Sequence, residues 1–204
     1  MPNPRLAATD RRRQLLEASL DLFAAKGFEG TTTKEIAAAA GVTEAIIFRH
    51  FPNKQSLYSA VLDLKHESGE MAAVISEWQK FMDANDDVGL FRTMIQRILD
   101  SYRRDARINR VLLFAALEGH QAGLEQHRQR SLPLYERLCQ YVARRQSEGA
   151  LRPGNPSALL IAVVGAAVYF AQMTELFGFD PNCDDSQIAE EFLQILLNGI
   201  KAKS

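Results

Sequence analysis

The stretch from Thr32 to Lys54, TTKEIAAAAGVTEAIIFRHFPNK, constrains this chain more than any other. Thr32 followed three residues later by Glu35 fits a capping box, in which a hydroxyl and a carboxylate satisfy the free backbone N–H groups at a helix start. The alanines that follow favour helix, and Gly41 can take the left-handed conformation that ends one. We therefore expect a short helix between Thr32 and Gly41.

A second short helix follows the glycine. Thr43 is placed to cap it, and Ile47 and Phe51 lie four residues apart on one face. The helix must end near Phe51, because Pro52 disfavours α geometry in the residue before it. Two short helices joined by a Gly-containing turn form a helix-turn-helix, whose second helix can lie in the major groove of DNA.

The alternative is an ordinary pair of core helices. Against it, the second helix has only two clear inward residues, so the apolar side chains of Ile46 and Phe48 are left near solvent. Exposed apolar side chains of this kind are typical of a binding surface. The pattern therefore favours a DNA-binding motif. The outward residues of its second helix are Glu44, Ala45, Ile46, Phe48, Arg49 and His50.

The residues around this motif resemble a known family. The run LLEASLDLFAAKGFEGTTTKEIAAAAGVTEAIIFRHFPNKQSL lies between Arg12 and Leu57. Its GF, TT, IA and AGV elements, the aromatic-containing helix that ends in HF, and the P-x-K-x-x-L segment after it are similar to the N-terminal domain of the TetR (tetracycline repressor) family of transcriptional regulators. The rest of the chain resembles the family only in length and helical character.

The resemblance implies an all-α regulator with two domains. Residues 1–53 would form a helix-turn-helix DNA-binding domain, and residues 54–204 a C-terminal ligand-binding and dimerisation domain. A dimeric repressor would then leave a palindromic operator when a small-molecule effector binds its C-terminal body. Two other interpretations stay open: a DNA binder that responds to no ligand, and a helical adaptor whose partner is a protein.

Ten residues form the predicted DNA-binding set. Lys54 combines a positive charge with the free N–H groups of a helix start, which suits a phosphate. The resemblance also places Lys54 and His50 on phosphates, and Thr33 and Lys34 on the DNA backbone or an outer base. The simpler interpretation of each is a surface charge or a helix cap. The set is Thr33, Lys34, Thr43, Glu44, Ala45, Ile46, Phe48, Arg49, His50 and Lys54.

The start of the second helix is the part expected to approach base edges. Glu44 could accept a hydrogen bond from cytosine N4, and Ala45 and Ile46 could cover a thymine methyl group. Glu44 could equally do no more than stabilise a helix N-terminus. Two residues depart from the family pattern: Phe48 lacks the phosphate-binding hydroxyl of the usual tyrosine, and Ile46 replaces a small or hydroxylated residue.

The charge of the chain is nearly balanced, at −1 over 204 residues. Residues 1–65 nevertheless carry nine Lys and Arg against seven Asp and Glu, whereas the remainder has fifteen against eighteen. Arg11, Arg12 and Arg13 lie in the first turn of the first helix, where cations oppose the helix dipole. They form either an arm that contacts DNA or a solvated basic helix start.

The composition argues against several other classes of protein. Cys139 and Cys183 lie far apart without a CxxC pattern, which disfavours a disulfide framework or a zinc site. The N-terminus lacks the apolar core of a secretory signal, and the longest apolar run, Ala158–Ala171, is short for a membrane span. We find no catalytic constellation and expect no cofactor, no metal site and no enzyme activity. A cytoplasmic location is the simplest interpretation.

The apolar run from Ala158 to Ala171 also predicts self-association. A helix that is apolar on nearly every side must be covered on every side, and Gly165, Ala166 and Ala167 would permit close approach of another helix. Complete burial within a monomer is the alternative. The resemblance implies a four-helix bundle made by two subunits. The predicted dimerisation residues are Leu160, Val164, Val168, Phe192 and Ile195.

Residues further along the chain could line an effector cavity. Aromatic and Met side chains at helical spacing are more often plain core, but a polar group within an apolar helix, such as Glu118, requires a partner. The predicted effector-binding residues are Trp78, Phe81, Phe114, Glu118, Tyr169 and Met173.

Hydrophobic periodicity predicts the other helices and their connections. A loop is expected over Ala84–Gly89, and Pro133 should kink or break the helix that contains it, near Ser131. The predicted helices run over about 9–27, 54–68, 71–82, 88–103, 106–121, 124–148, 157–178 and 186–201.

Overall fold

The computed structural model describes residues 8–67 and 70–200, and within these ranges it contains ten α-helices and no strand. The expected all-α fold is therefore confirmed. The helices are α1 Ala8–Lys26, α2 Thr33–Ala39, α3 Glu44–His50, α4 Lys54–Glu67, α5 Glu70–Asp83, α6 Asp87–Arg104, α7 Arg107–Leu117, α8 Gln121–Ser147, α9 Pro156–Glu175 and α10 Asp185–Ile200.

The helices form two compact units. The first unit contains α1 to α4, α7 and the part of α8 up to Arg130, and the second contains α5, α6, the rest of α8, α9 and α10. The division at residue 53 that the sequence suggested does not coincide with these two packing units. It stays a prediction about function.

The core of the first unit is built on α1. Leu16, Leu20 and Phe23 lie on one face of this helix and are at most 4% exposed, as their spacing predicts. They pack with apolar side chains of α2, α3, α4 and α7. Within the same core the hydroxyl of Tyr58 donates to the carbonyl of Val111 at 3.2 Å. Burial raises the pKa of Tyr58 well above its ordinary value, with the charge of Glu118 as a second cause, so the phenol stays protonated.

The predicted capping box is present at the start of α2. The Thr32 hydroxyl accepts from the backbone N–H of Glu35 at 3.2 Å, and the Glu35 carboxylate accepts from the backbone N–H of Thr32 at 2.8 Å. The same carboxylate lies 2.6 Å from the ammonium of Lys26 at the end of α1. This ion pair therefore joins the end of α1 to the start of α2.

The expected cap of α3 is only partly right. Thr43 has the extended backbone of an N-cap residue, but among the described residues its side chain makes no capping hydrogen bond. The carboxylate of Glu44, one residue later, instead accepts from the Thr33 hydroxyl at 2.6 Å. The start of α3 is therefore held by a side-chain contact with α2, which a local capping pattern does not reveal.

The end of α3 and the start of α4 agree with the sequence. Phe51 leaves helical geometry directly before Pro52. The side-chain oxygen of Asn53 then accepts from the backbone N–H of Ser56 at 2.8 Å, and the Ser56 hydroxyl accepts from the backbone N–H of Asn53 at 3.2 Å. This reciprocal pair places Lys54 in the first turn of α4.

Two predicted boundaries are wrong. The loop after α5 is shorter than expected, because the Asp86 carboxylate caps α6 by accepting from the backbone N–H of Gly89 at 2.8 Å. α7 ends at Leu117 rather than near residue 121, since Gly119 takes a φ of +74° and closes the helix. Both boundaries are set by single polar or glycine residues within otherwise helical sequence.

A break at Pro133 is ruled out, because α8 runs without interruption from Gln121 to Ser147, whereas the alternative of a kink there stays a prediction. Helical periodicity along α8 predicts that Leu132, Tyr135, Leu138 and Val142 face inward, but Leu132 and Tyr135 are 41% and 37% exposed. Leu138 and Val142 are buried, as the same periodicity predicts, and the half-buried Leu134 packs with them against the core of the second unit. Leu134, Leu138 and Val142 are spaced by four along the helix, so the inward face differs from the predicted one only around Pro133.

α9 is covered on one side only within a single chain. Leu160 and Val163 are buried in the core of the second unit, but Ile161 and Tyr169 are 63% and 65% exposed. The expectation of cover on every side is therefore not met by this chain alone. Among the described helices, α9 is also the one long and apolar enough to cross a membrane, a test that core helices of soluble proteins pass as well.

We expect the two threonines at the starts of α2 and α3 to differ in their effect on stability. Thr32→Ala removes a hydroxyl that caps a helix and should lower the free energy of unfolding by about 1 kcal/mol. Thr43→Ala removes a hydroxyl without a capping bond and should change it by a few tenths of that amount. Urea denaturation followed by far-UV circular dichroism measures both, and equal losses would contradict the capping assignment.

A pH dependence follows from the contacts of Glu35. The hydrogen bond from Lys26, together with those from Thr32, lowers the pKa of Glu35 from 4.5 to about 2. The ionised carboxylate therefore stabilises the fold above pH 4.5, and this contribution disappears as the pH falls towards 2. Glu35→Gln cannot ionise, so its stability deficit against the unchanged protein should be constant at neutral pH and shrink below pH 4.5. Urea midpoints across this range test the prediction, and a deficit independent of pH would refute it.

Candidate nucleic-acid interface

α2, α3 and the turn between them form a helix-turn-helix. Gly41 has a φ of +63°, as its place after the alanines predicts, and the backbone N–H of Val42 donates to the carbonyl of Ala37 at 2.9 Å. The side-chain amide of Gln14 on α1 donates to the carbonyl of Ala40 at 2.9 Å. The turn is therefore fixed both by its own backbone and by α1.

α3 has one buried face and one exposed face. Ile47 is fully buried and Phe51 is 4% exposed, as expected for the inward residues. On the opposite face Phe48 is 45% exposed, a large fraction for an aromatic side chain. Of the ten predicted DNA-binding residues, the exposed ones are Lys34, Thr43, Ala45, Phe48 and Arg49, and the half-buried ones are Thr33, Glu44, Ile46, His50 and Lys54.

Glu44 has a structural contact that the sequence did not indicate. Its carboxylate accepts the 2.6 Å hydrogen bond from the hydroxyl of Thr33. Two members of the predicted DNA-binding set therefore contact each other across the motif. Because a carboxylate has two oxygens, this bond leaves acceptor capacity on Glu44. Contact of Glu44 with a cytosine stays a prediction.

Lys54 rests on an aromatic ring. Its ammonium lies 4.0 Å from the centroid of Phe28, in the connection between α1 and α2, which is the geometry of a cation–π interaction. The contact between Phe28 and Lys54 was not predicted from the sequence. The sequence feature that could have indicated it is the aromatic residue directly after Gly27, the glycine that follows α1.

The basic start of α1 lies beside the end of α3. The guanidinium of Arg12 is 5.4 Å from the ring centroid of Phe51, the residue that ends α3. Arg11 donates to the side chain of Gln14 at 2.6 Å, and Arg13 is largely exposed with Asp10 3.9 Å away. Packing of Arg12 on Phe51 brings this basic start close to the motif. Its contact with DNA stays a prediction.

The predicted effector-binding residues are divided between the two units. In the first unit, the half-buried Glu118 carboxylate accepts from the backbone N–H groups of Phe28 at 2.9 Å and Glu29 at 3.3 Å in the α1–α2 connection, and it lies 3.5 Å from His120 Nε2. Phe114 is half-buried nearby on α7. The remaining candidates, all in the second unit, are Trp78, Phe81, Tyr169 and Met173.

These second-unit candidates have different environments. Trp78 is 8% exposed, and its indole N–H has no hydrogen-bond partner within the described part of the chain. Phe81 and Met173 are half-buried, whereas Tyr169 belongs to the exposed side of α9. Effector binding by all of them stays a prediction.

An open groove of about 320 Å³ lies between α5 and α8 in the second unit. This groove is not predicted by the aromatic and Met pattern of the sequence, because most of its lining is polar. The guanidinium of Arg137 contacts the side chain of Gln79, and Arg144 donates to the carbonyl of Met82 at 3.3 Å. The lining residues are Gln79, Met82, Asp83, Arg137, Gln140, Tyr141 and Arg144.

The predicted dimerisation residues lie on more than one face of α9 and α10. Leu160 is buried within its own unit, and Val164, Val168 and Phe192 are half-buried, whereas Ile195 is 67% exposed. The exposed apolar strip of α9 consists of Ile161, Ala162, Gly165 and Tyr169. Gly165 was expected to permit close helix approach, but Ile161, Ala162 and Tyr169 were not among the predicted dimerisation residues. The spacing of these residues by three and four positions could have indicated that they share one face of the helix.

Comparison with known proteins places these features in a wider context. Residues 15–61 match the family described as bacterial regulatory proteins, tetR family. The chain is 36% identical over 104 residues to the HTH-type transcriptional regulator TtgR of Pseudomonas putida, a match covering 51% of this chain and 48% of TtgR. The chain thus spans about half the length of this relative.

Two further similarities extend beyond the motif. The chain is 30% identical over 145 residues to the nucleoid occlusion factor SlmA of Marinobacter nauticus, covering 71% of this chain and 70% of SlmA. The crystal structure of AibR in complex with isovaleryl coenzyme A and operator DNA is similar with a TM-score of 0.63 and 22% identity, covering 91% of this chain and 97% of that one. This second similarity shows the fold alone. The match at the helix-turn-helix and the long alignment with SlmA together show that this chain belongs to the tetR family of bacterial regulatory proteins.

Proposed function

We propose that this protein is a DNA-binding transcriptional regulator that acts as a homodimeric repressor and responds to a small molecule. The observation that carries the proposal is that α3 has one buried face and one exposed face. Ile47 and Phe51 fix its inner side in the core, and Ala45, Phe48 and Arg49 are left exposed on its outer side. An α-helix that exposes one face in this way can enter the major groove of B-DNA.

The exposed face supplies both apolar and charged contacts. Ala45 and the half-buried Ile46 offer methyl groups that suit a thymine methyl, and Arg49 is a cation that can contact a phosphate or a guanine. Phe48 offers only a ring, so it would pack against sugar or base without a hydrogen bond. Thr43, His50, Thr33 and Lys34 would position the helix through the DNA backbone.

The exposed strip of α9 supports a homodimer. A second copy would cover Ile161 and Tyr169, with Gly165 permitting close approach of the two helices, and Ile195 of α10 would extend the same interface. Two-fold symmetry would present two copies of α3 to successive major grooves. The operator should therefore be an inverted repeat whose half-sites are separated by about one turn of DNA.

A small-molecule effector is supported by the fold. AibR, which shares this fold, was crystallised with both isovaleryl coenzyme A and operator DNA. To release DNA, an effector must bind the DNA-incompetent arrangement of this protein better than the competent one. Trp78, Phe81 and Met173 remain the proposed contacts within the second unit. A regulator of this kind, rather than an enzyme, would act in the cytoplasm, where chromosomal DNA is accessible.

We expect Lys54 and Arg49 to contribute to DNA binding through charge. Lys54→Gln should weaken binding to all sequences and reduce the slope of log affinity against log salt by about 1, because one phosphate contact is lost. Arg49→Ala should weaken binding at least as much. Fluorescence anisotropy with a duplex from the DNA upstream of the gene, measured at several salt concentrations, tests both changes.

Lys80→Gln is the matched control for this experiment, because Lys80 is an exposed lysine on α5 in the other unit. It should leave both affinity and salt slope unchanged. If all three variants bind as the unchanged protein does, the DNA face is assigned wrongly. A protein that ignores every upstream duplex in dilute salt would favour the adaptor interpretation.

We expect a charge on the α9 strip to dissociate the dimer. Ile161→Glu places a carboxylate in the proposed apolar interface, where it would be desolvated without a partner, so the mass in solution should fall from two chains to one. Size-exclusion chromatography with light scattering measures this. Leu132→Glu is the control, since Leu132 is an exposed apolar residue on α8. If Ile161→Glu keeps the mass of two chains, as Leu132→Glu should, the interface lies elsewhere.

A further inference from the structure

The ammonium of Lys54 lies in a defined place although lysine is a long and flexible side chain. Its nitrogen is 4.0 Å from the centroid of Phe28. An ammonium over a ring face uses one side for the π-system and keeps its other sides for hydrogen-bond acceptors. Because Lys54 is the first residue of α4, its nitrogen is held close to a helix N-terminus, where a phosphate is favoured.

The backbone of Phe28 is fixed by a carboxylate from the turn after α7. Glu118 accepts from the backbone N–H groups of Phe28 at 2.9 Å and Glu29 at 3.3 Å. Gly27 makes room for this carboxylate, since a Cβ at that position would lie 2.2 Å from its Oε1 atom, and its φ of +72° also favours glycine. The connection between α1 and α2 is therefore built around the Glu118 carboxylate.

The ring of Phe28 is held by other rings. Tyr58 on α4 meets it edge-on with centroids 5.0 Å apart, and His120 meets it edge-on at 4.3 Å. Tyr58 is itself fixed by its hydrogen bond to Val111. With its backbone and its ring both held by these contacts, Phe28 has little freedom to move away from Lys54.

We propose that Phe28 is a positioning residue for DNA binding, which places the Lys54 ammonium for contact with a backbone phosphate. This inference rests on the proposed function. Holding the ammonium in advance lowers the conformational entropy that would be lost when Lys54 contacts DNA, so the ring strengthens binding without touching the duplex. Phe28 should then contribute to affinity only while residue 54 is a lysine.

A double-mutant cycle on the full chain tests this dependence. The four proteins are the unchanged chain, Phe28→Leu, Lys54→Gln and the double variant, and the probe is the upstream duplex at several salt concentrations. We expect Phe28→Leu to weaken binding about two- to five-fold, the range of an exposed cation–π interaction. In the Lys54→Gln background the same change should have no further effect. Phe28→Tyr keeps a ring and should bind as the unchanged protein does.

Loss of core packing must be separated from loss of positioning. Leu64→Ala is the control, because Leu64 packs against the same core near the far end of α4, about 15 Å from Lys54 at 1.5 Å per residue. It should lower the melting temperature and leave affinity unchanged. Phe28→Met, which is also without a ring face, takes the place of Phe28→Leu if the leucine variant does not fold.

Three outcomes would overturn the inference. An equal loss from Phe28→Leu in both backgrounds would show that the ring acts only through the core. Tighter binding by Phe28→Leu would show that the ring competes with phosphate for the ammonium. If Lys54→Gln alone changes neither affinity nor salt slope, the proposed contact of Lys54 with DNA fails, and the positioning role fails with it.

Discussion

A helix of seven residues is not stable in water by itself, because its nucleation cost exceeds the gain from so few hydrogen bonds. α2 and α3 both have this length, so each depends on contacts with the rest of the first unit. Ile47 anchors α3 in the core, and complete burial of such a side chain stabilises by about 1.5–3 kcal/mol. The exposed side chains of α3 are therefore held in place by the core beneath them rather than by the stability of the helix that carries them.

This dependence explains why so many contacts converge on the ends of the short helices. Gln14 of α1 bonds to the carbonyl that ends α2, Thr33 of α2 bonds to the first residue of α3, and Arg12 packs on the residue that ends α3. Each contact joins residues of two different elements. The exposed residues Ala45, Phe48 and Arg49 of α3 take no part in these three contacts, so under the proposed function they could change to suit another DNA sequence at little cost to the fold.

The parts that sequence predicted well are those set by local chemistry. Thr32, Gly41 and Pro52 each act within a few residues of themselves, so the helix ends that they control lie where expected. The parts that it missed depend on distant partners. The role of Phe28 requires knowledge of Lys54 and Glu118, and the face of α9 that a single chain leaves exposed depends on which other helices cover the opposite face. Because α9 is apolar on every side, its sequence does not show which side is buried within the chain and which side is exposed.

The chain contains one tryptophan and two cysteines, and all three lie in the second unit. Trp78 is buried there, so its ultraviolet emission responds to the surroundings of α5 and α6 and not to those of the helix-turn-helix. The first unit, by contrast, contains no indole and no thiol among its described residues. Tryptophan fluorescence therefore reports on the second unit alone. A thiol-reactive dye would also attach to the second unit, at Cys139 or Cys183.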